Sequence, residues 1–218
     1  MRQITFPNWL VWIDENFKWL SIPKLPLVLI IIQALGFLLD WVKPFGFYID
    51  LLAPHPHYVF KGEIWRIFTF IAIPFPNHLL LILVLWFFYD FMVLLEESWG
   101  SMFLTVYFII AWLSTVFAAF LNVVSFETIA PIFYIECSFV FALATLNPNK
   151  ELHLFFILPI AFKWIALFIA GILIVVPCVL NSYSQLIYVI LLFVNYLLFF
   201  GKDYWIRFRK ELDKRKKA

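Results

Sequence analysis

"QLIYVILLFVNYLLFF" (Gln185–Phe200) runs directly into "GKDYWIRFRKELDKRKKA" (Gly201–Ala218). The first piece holds no charge. The second carries eight of the chain's 16 Lys and Arg residues. An apolar run close to spanning length that ends in a cluster of cations reads as a membrane span followed by a cytoplasmic tail.

Similar apolar runs recur upstream. They cover residues 26–42, 78–95, 102–121, 131–146 and 162–180, so the chain predicts six spans in one domain. The composition agrees: 65% of the 218 residues are hydrophobic, 22% are aromatic and 14% are charged. A soluble domain is nearer half apolar. The expected fold is therefore all-α, a polytopic bundle over 26–201. It is preceded by an interfacial or cytoplasmic segment (1–25) and followed by a basic tail (202–218). The long connection between the first two runs, about 43–77, contains five prolines and cannot be one continuous helix.

Orientation follows from the cations near the span ends. With six spans both termini share a side, and 13 of the 16 Lys and Arg fall there, including Arg2, Lys18, Lys24, Lys150 and Lys163. Lys43, Lys61 and Arg66 are left for the other side. Both termini are expected to be cytoplasmic. The start lacks a small-residue cleavage site and is expected to be retained. Trp9, Trp12, Ile13, Phe17 and Leu20 share a helical face, off which Asp14, Glu15 and Lys18 lie. This fits either a helix lying in the interface or a plain aromatic anchor. The tail's cations suit anionic lipid.

The two cysteines, Cys137 and Cys178, lie in expected spans and suggest neither a disulfide nor a metal framework. No phosphate-binding loop or zinc signature occurs, and the basic tail has no nucleic-acid reader fold beside it. No cofactor or metal is expected.

At "FKGEIWRIFTFIAIP" (Phe60–Pro74) the chain resembles the rhomboid superfamily, in which a Gly-Glu-x-Trp-Arg segment stands in the first external loop. Gly62, Glu63, Trp65 and Arg66 match it. "EESWGSMFLTVYFI" and "FVFALATLNPNKELHLFFILPIAFKWIALFIAGI" match later stretches in order, so the resemblance covers about residues 48–200. Read physically, Trp65 and Arg66 suit a structural role. The aromatic ring can seat the loop at the headgroups, and the guanidinium can cap carbonyls or pair with Glu63.

The resemblance implies a six-span rhomboid-like bundle. Active members are intramembrane serine proteases with Gly-x-Ser-Gly at the head of the fourth span and a His base in the sixth. A His-x-x-x-Asn motif opens their second span. Here the first motif reads Ile135-Glu136-Cys137-Ser138. Cys137 stands at the nucleophile's place, or Ser138 after a one-residue slip. The sixth span has no His; Ser184 or Gln185 falls near the base position, and Tyr188 and Leu192 replace small residues. His78 matches, but Ile82 replaces the Asn.

A thiol needs a positive neighbour to become a nucleophile at neutral pH, and Glu136 has the wrong sign. Bulky residues at small-residue positions should fill the old cleft. The chain is thus expected to resemble derlins and inactive rhomboids, which bind transmembrane clients without cutting them. An active protease using Cys137 or Ser138 with His78 stays open. So does a small-solute transporter or channel built on Gln33, Asp40, Asp90, Glu136 and Asn195, although no inverted repeat supports it. Glu136 is either functional or a neutral carboxyl bonded to Ser or Tyr. Asp90 is expected to reach water and Asn195 to bond a neighbouring helix. A bacterial cytoplasmic membrane is the expected location. The alternative is the endoplasmic reticulum, because the final Arg-Lys-Lys-Ala is similar to a dibasic retrieval tail.

Overall fold

A computed structural model describes residues 6–42, 51–73, 78–121, 131–154 and 158–217, with only the backbone described at 40–42, 78–82, 152–154, 158, 211 and 214–217. Arg2 and Lys43, used above for orientation, lie outside the described residues, as do the side chains of Asp40, His78, Ile82 and His153.

The apolar runs are helices. A short helix, α1 (Asn8–Asn16), precedes α2 (Leu25–Val42). The connection that follows contains two brief helices, α3 (Pro56–Phe60) and α4 (Arg66–Thr69), and a 3-10 turn at Phe70–Ala72. Then come α5 (His78–Trp99), α6 (Ser101–Leu121), α7 (Ile132–Leu146), α8 (Phe162–Val179) and α9 (Tyr183–Lys217). Among the described residues, four helical stretches are long and apolar enough to cross a membrane: 18–39, 101–121, 162–179 and 183–210. These are compatible with a multi-pass integral membrane protein. Helix α5 has 22 residues, whereas α7 has 15.

Helix α7 is the centre of the bundle. It packs against α5, α6, α8 and α9, and 13 of its 15 residues are buried. At 1.5 Å per residue it is about 22 Å long, and shielding by four neighbours suits so short a helix. Helix α8, by contrast, shows most of its surface. The main core joins Leu29 of α2, Met92 and Leu95 of α5, Tyr107 of α6, Phe139 and Leu143 of α7, and Phe199 of α9.

Two features depart from the sequence reading. The break after α7 is a β-hairpin: β1 (Glu151–Leu154) pairs antiparallel with β2 (Leu158–Ala161). It sits at the turn into α8, where Lys163 Nζ donates to Asn149 Oδ1 at 3.1 Å. The sixth span and the basic tail form one 35-residue helix rather than a span and a separate tail. Helix α1 packs on the bundle through Leu10, fully buried, while Trp9 and Trp12 remain exposed. Phe17 and Leu20 lie beyond α1, yet both pack against the core with Ile13.

The two ends of the bundle can be told apart by contacts. Lys202 Nζ donates to the Phe6 carbonyl at 3.2 Å and to Asn8 Oδ1 at 2.8 Å, and the Trp9 ring meets Phe199 edge-on. The N-terminal segment therefore sits at the end where α9 passes residue 200. Glu96 joins the same end, accepting from the Lys24 backbone N–H at 3.1 Å and from Ser101 Oγ at 2.6 Å. The bond to Lys24 holds that residue in a left-handed conformation (φ 56°) ahead of α2.

Candidate functional site

Glu136, Cys137 and Ser138 lie one turn into α7. Successive residues on a helix point about 100° apart, so the three side chains enter three environments. Cys137 turns towards α8 and α9 and is buried in an apolar cluster with Tyr134, Phe141, Leu173, Val189 and Leu192. Ser138 is buried too, and its Oγ donates to the carbonyl of Ile135 at 2.7 Å, on its own helix. Its own carbonyl accepts from the Tyr107 hydroxyl of α6 at 2.9 Å. Glu136 is only partly buried, and its Oε1 accepts from Nε2 of Gln33, on α2, at 2.7 Å.

Beside Ser138 a small cleft opens between α6, α7 and α9, lined by Ala111, Thr115, Tyr134, Tyr188, Leu192 and Asn195 among others. Its free space is about that of one water molecule. Tyr134 and Tyr188 close one wall, their rings stacked 4.9 Å apart and 13° from parallel. Asn195 is completely buried at the cleft, and neither Nδ2 nor Oδ1 has a hydrogen-bond partner among the described residues. The interhelical bond expected of Asn195 is thus not made.

Gln185, near the base position implied by the resemblance, is buried at the start of α9, its backbone N–H donating to Ser182 Oγ at 3.4 Å. His78 begins α5, but its side chain is outside the described residues. His55 and His57 belong to the long connection, where each ring packs edge-on against Tyr58. Among the described residues no imidazole bonds to Cys137 or Ser138. Asp90, on α5, is partly exposed. No group of three or more metal-ligating side chains occurs among the described residues.

The chain matches no family model, no curated protein and no solved structure. Its function is read from its own geometry.

The Gly-Glu-x-Trp-Arg segment forms a second constellation, built around the buried Arg66. Its Nε and Nη2 meet Glu63 Oε2 at 2.7 and 2.6 Å, and Nη1 donates to the Ala53 carbonyl at 3.3 Å. The guanidinium also lies over the Tyr58 ring, 4.5 Å from its centroid. One cation thus gathers α3, α4 and the chain before them. Gly62, at φ 104°, makes the turn that brings Glu63 back under Tyr58, a conformation costly for any residue with a Cβ. Trp65 is half exposed and Phe60, Ile64 and Phe68 are exposed around it, so the segment shows an apolar surface outward. Trp112 of α6 fastens it from below, donating to the Ile67 carbonyl at 2.9 Å and stacking on Phe68.

The partner of Glu136 was missed by sequence reasoning. Both it and Gln33 stand out as polar residues in apolar runs, yet 103 positions separate them. Ser and Tyr, expected as partners of Glu136, are replaced by an amide.

Proposed function

We propose that this chain is a six-span rhomboid-like membrane protein without protease activity, which binds transmembrane client or partner helices. The observation that carries the reading is the state of the α7 head. Cys137 is enclosed by apolar side chains, and Ser138 Oγ is engaged by its own helix. A stacked Tyr134–Tyr188 pair stands against a cleft too small for a peptide bond and its attacking group. A nucleophile needs a base in reach and an open place for the reacting carbonyl. Neither occurs among the described residues.

The six-span count adds α5 and α7 to the four long apolar helices; α5 is long enough, and α7 is shielded by its neighbours. The contact of Lys202 with Phe6 and Asn8 supports both termini on one side, and the cations gathered at that end support the cytoplasm. Membrane lipids cover the exposed aromatic and aliphatic surfaces. A bacterial cytoplasmic membrane is the proposed location, with the endoplasmic reticulum as the alternative.

Photo-crosslinking from α2, α5 and α8 in native membranes, read by mass spectrometry, tests the reading. It predicts an intact transmembrane partner. Recovery of a clipped partner, or of lipid adducts alone, would contradict it.

A further inference from the structure

We propose that Glu136, oriented by Gln33, is an acceptor for one cationic side chain, Lys or Arg, of a transmembrane partner helix. The inference rests on the client-binding reading and names the chemistry by which the partner is held.

Gln33 is almost fully buried at 1% exposure, with its Nε2 committed to Glu136. Its Oε1 is buried and has no hydrogen-bond partner. Glu136 keeps an accessible edge, and no described cation pairs with it. Where α2 meets α7, the partly exposed carboxylate is therefore the group a partner can reach, with the enclosed, unsatisfied amide oxygen behind it. Both are acceptors, and in an apolar medium each lacks the water that would otherwise supply donors.

The complement is a group with positive charge and several donors. An ammonium has three and a guanidinium five, while a hydroxyl supplies one and no charge. Calcium takes six to eight oxygens, far more than two side chains offer. A cation carried on an apolar helix meets both needs, since the pair then neutralises two groups that are each costly in hydrocarbon.

A groove also opens beside the start of α2. Pro26 lies seven residues before Gln33, two helical turns away on nearly the same side. At Pro26 and Leu27, α2 separates from Tyr89 and Val93 of α5, leaving a groove of about 400 Å³ rimmed by Lys24, Glu96 and Glu97.

The full chain is reconstituted in phosphatidylcholine vesicles with either of two Leu/Ala-rich single-span peptides, and binding is read by energy transfer. The peptides differ only in a Lys or a Met one turn from the non-cytoplasmic end. The Lys peptide is expected to bind about tenfold more tightly, as one interhelical polar contact of 1–2 kcal/mol allows. Glu136→Gln should erase that preference and Gln33→Met should reduce it. Equal binding of the two peptides, or a preference that survives Glu136→Gln, overturns the site while leaving client binding intact. Binding of neither peptide overturns both.

Discussion

A Cβ built on Gly36 would stand 1.6 Å from the carbonyl oxygen of Ala72. Helix α2 therefore rests directly on the backbone of the 3-10 turn at the end of the long connection. Close approach of this kind needs glycine, and here it ties the long connection to α2.

Gly36→Ala forces α2 and the Phe70–Ala72 turn apart, because the obstructing atom is backbone and cannot swing away. The expected loss is about 2–3 kcal/mol or more, in the range of core overpacking. Gly171→Ala is the matched control, since a Cβ there meets nothing within 4 Å. Melting temperatures of the two variants in one detergent check the prediction: a marked drop for position 36, little change for 171. Equal melting temperatures would refute it.

Arg66→Lys should loosen the segment 51–73 even though the charge is kept. An ammonium cannot engage Glu63 through two nitrogens while reaching the Ala53 carbonyl and covering Tyr58. Because Glu63 is 30% exposed, its stranded charge can still find water, and Arg66→Leu should cost about 2 kcal/mol rather than the larger loss of a wholly buried pair. Limited proteolysis between residues 51 and 73 should quicken in both variants. An unchanged cleavage rate in Arg66→Lys would show that the guanidinium geometry is not needed.

Asn195→Leu should be neutral or stabilising. Its amide is buried with no partner, and removing an unsatisfied polar group relieves a desolvation penalty of about 1–3 kcal/mol. The readout is the melting temperature, which should hold or rise. A fall of several degrees would mean that the amide is held by something essential to the fold.

Thiol chemistry separates the two cysteines. Cys178 is exposed and Cys137 is buried among apolar side chains. A small maleimide should modify Cys178 in the folded protein and reach Cys137 only after denaturation. Rapid labelling of Cys137 in the native state, lost in Cys137→Ala, would indicate an activated nucleophile.

Much of this architecture was readable before any coordinates. Long apolar runs announce helices because a chain in hydrocarbon must satisfy its backbone within each helix, and the prolines of 43–77 announce the irregular connection. Arg66 with Glu63 was foreseeable as well, being three residues apart. What escaped depends on distant or subtle neighbours. The hairpin at Glu151–Ala161 hides in a stretch whose apolar residues look like the approach to a span. The continuation of α9 through the basic tail reflects the absence of any helix breaker after Gly201 rather than a hydrophobic signal. Leu10 is the residue that packs α1 on the bundle, because burial is decided by the contact with neighbouring helices. The approach of Gly36 to Ala72 and the bond between Gln33 and Glu136 each join residues far apart in the chain, where local pattern carries no information.

The most direct measurement reconstitutes the purified full chain in vesicles with a single-span reporter of defined mass and follows that mass over hours. The account predicts that the reporter stays whole while remaining associated with the protein. Appearance of a fragment cut within the membrane, abolished by Cys137→Ala or Ser138→Ala, would contradict it.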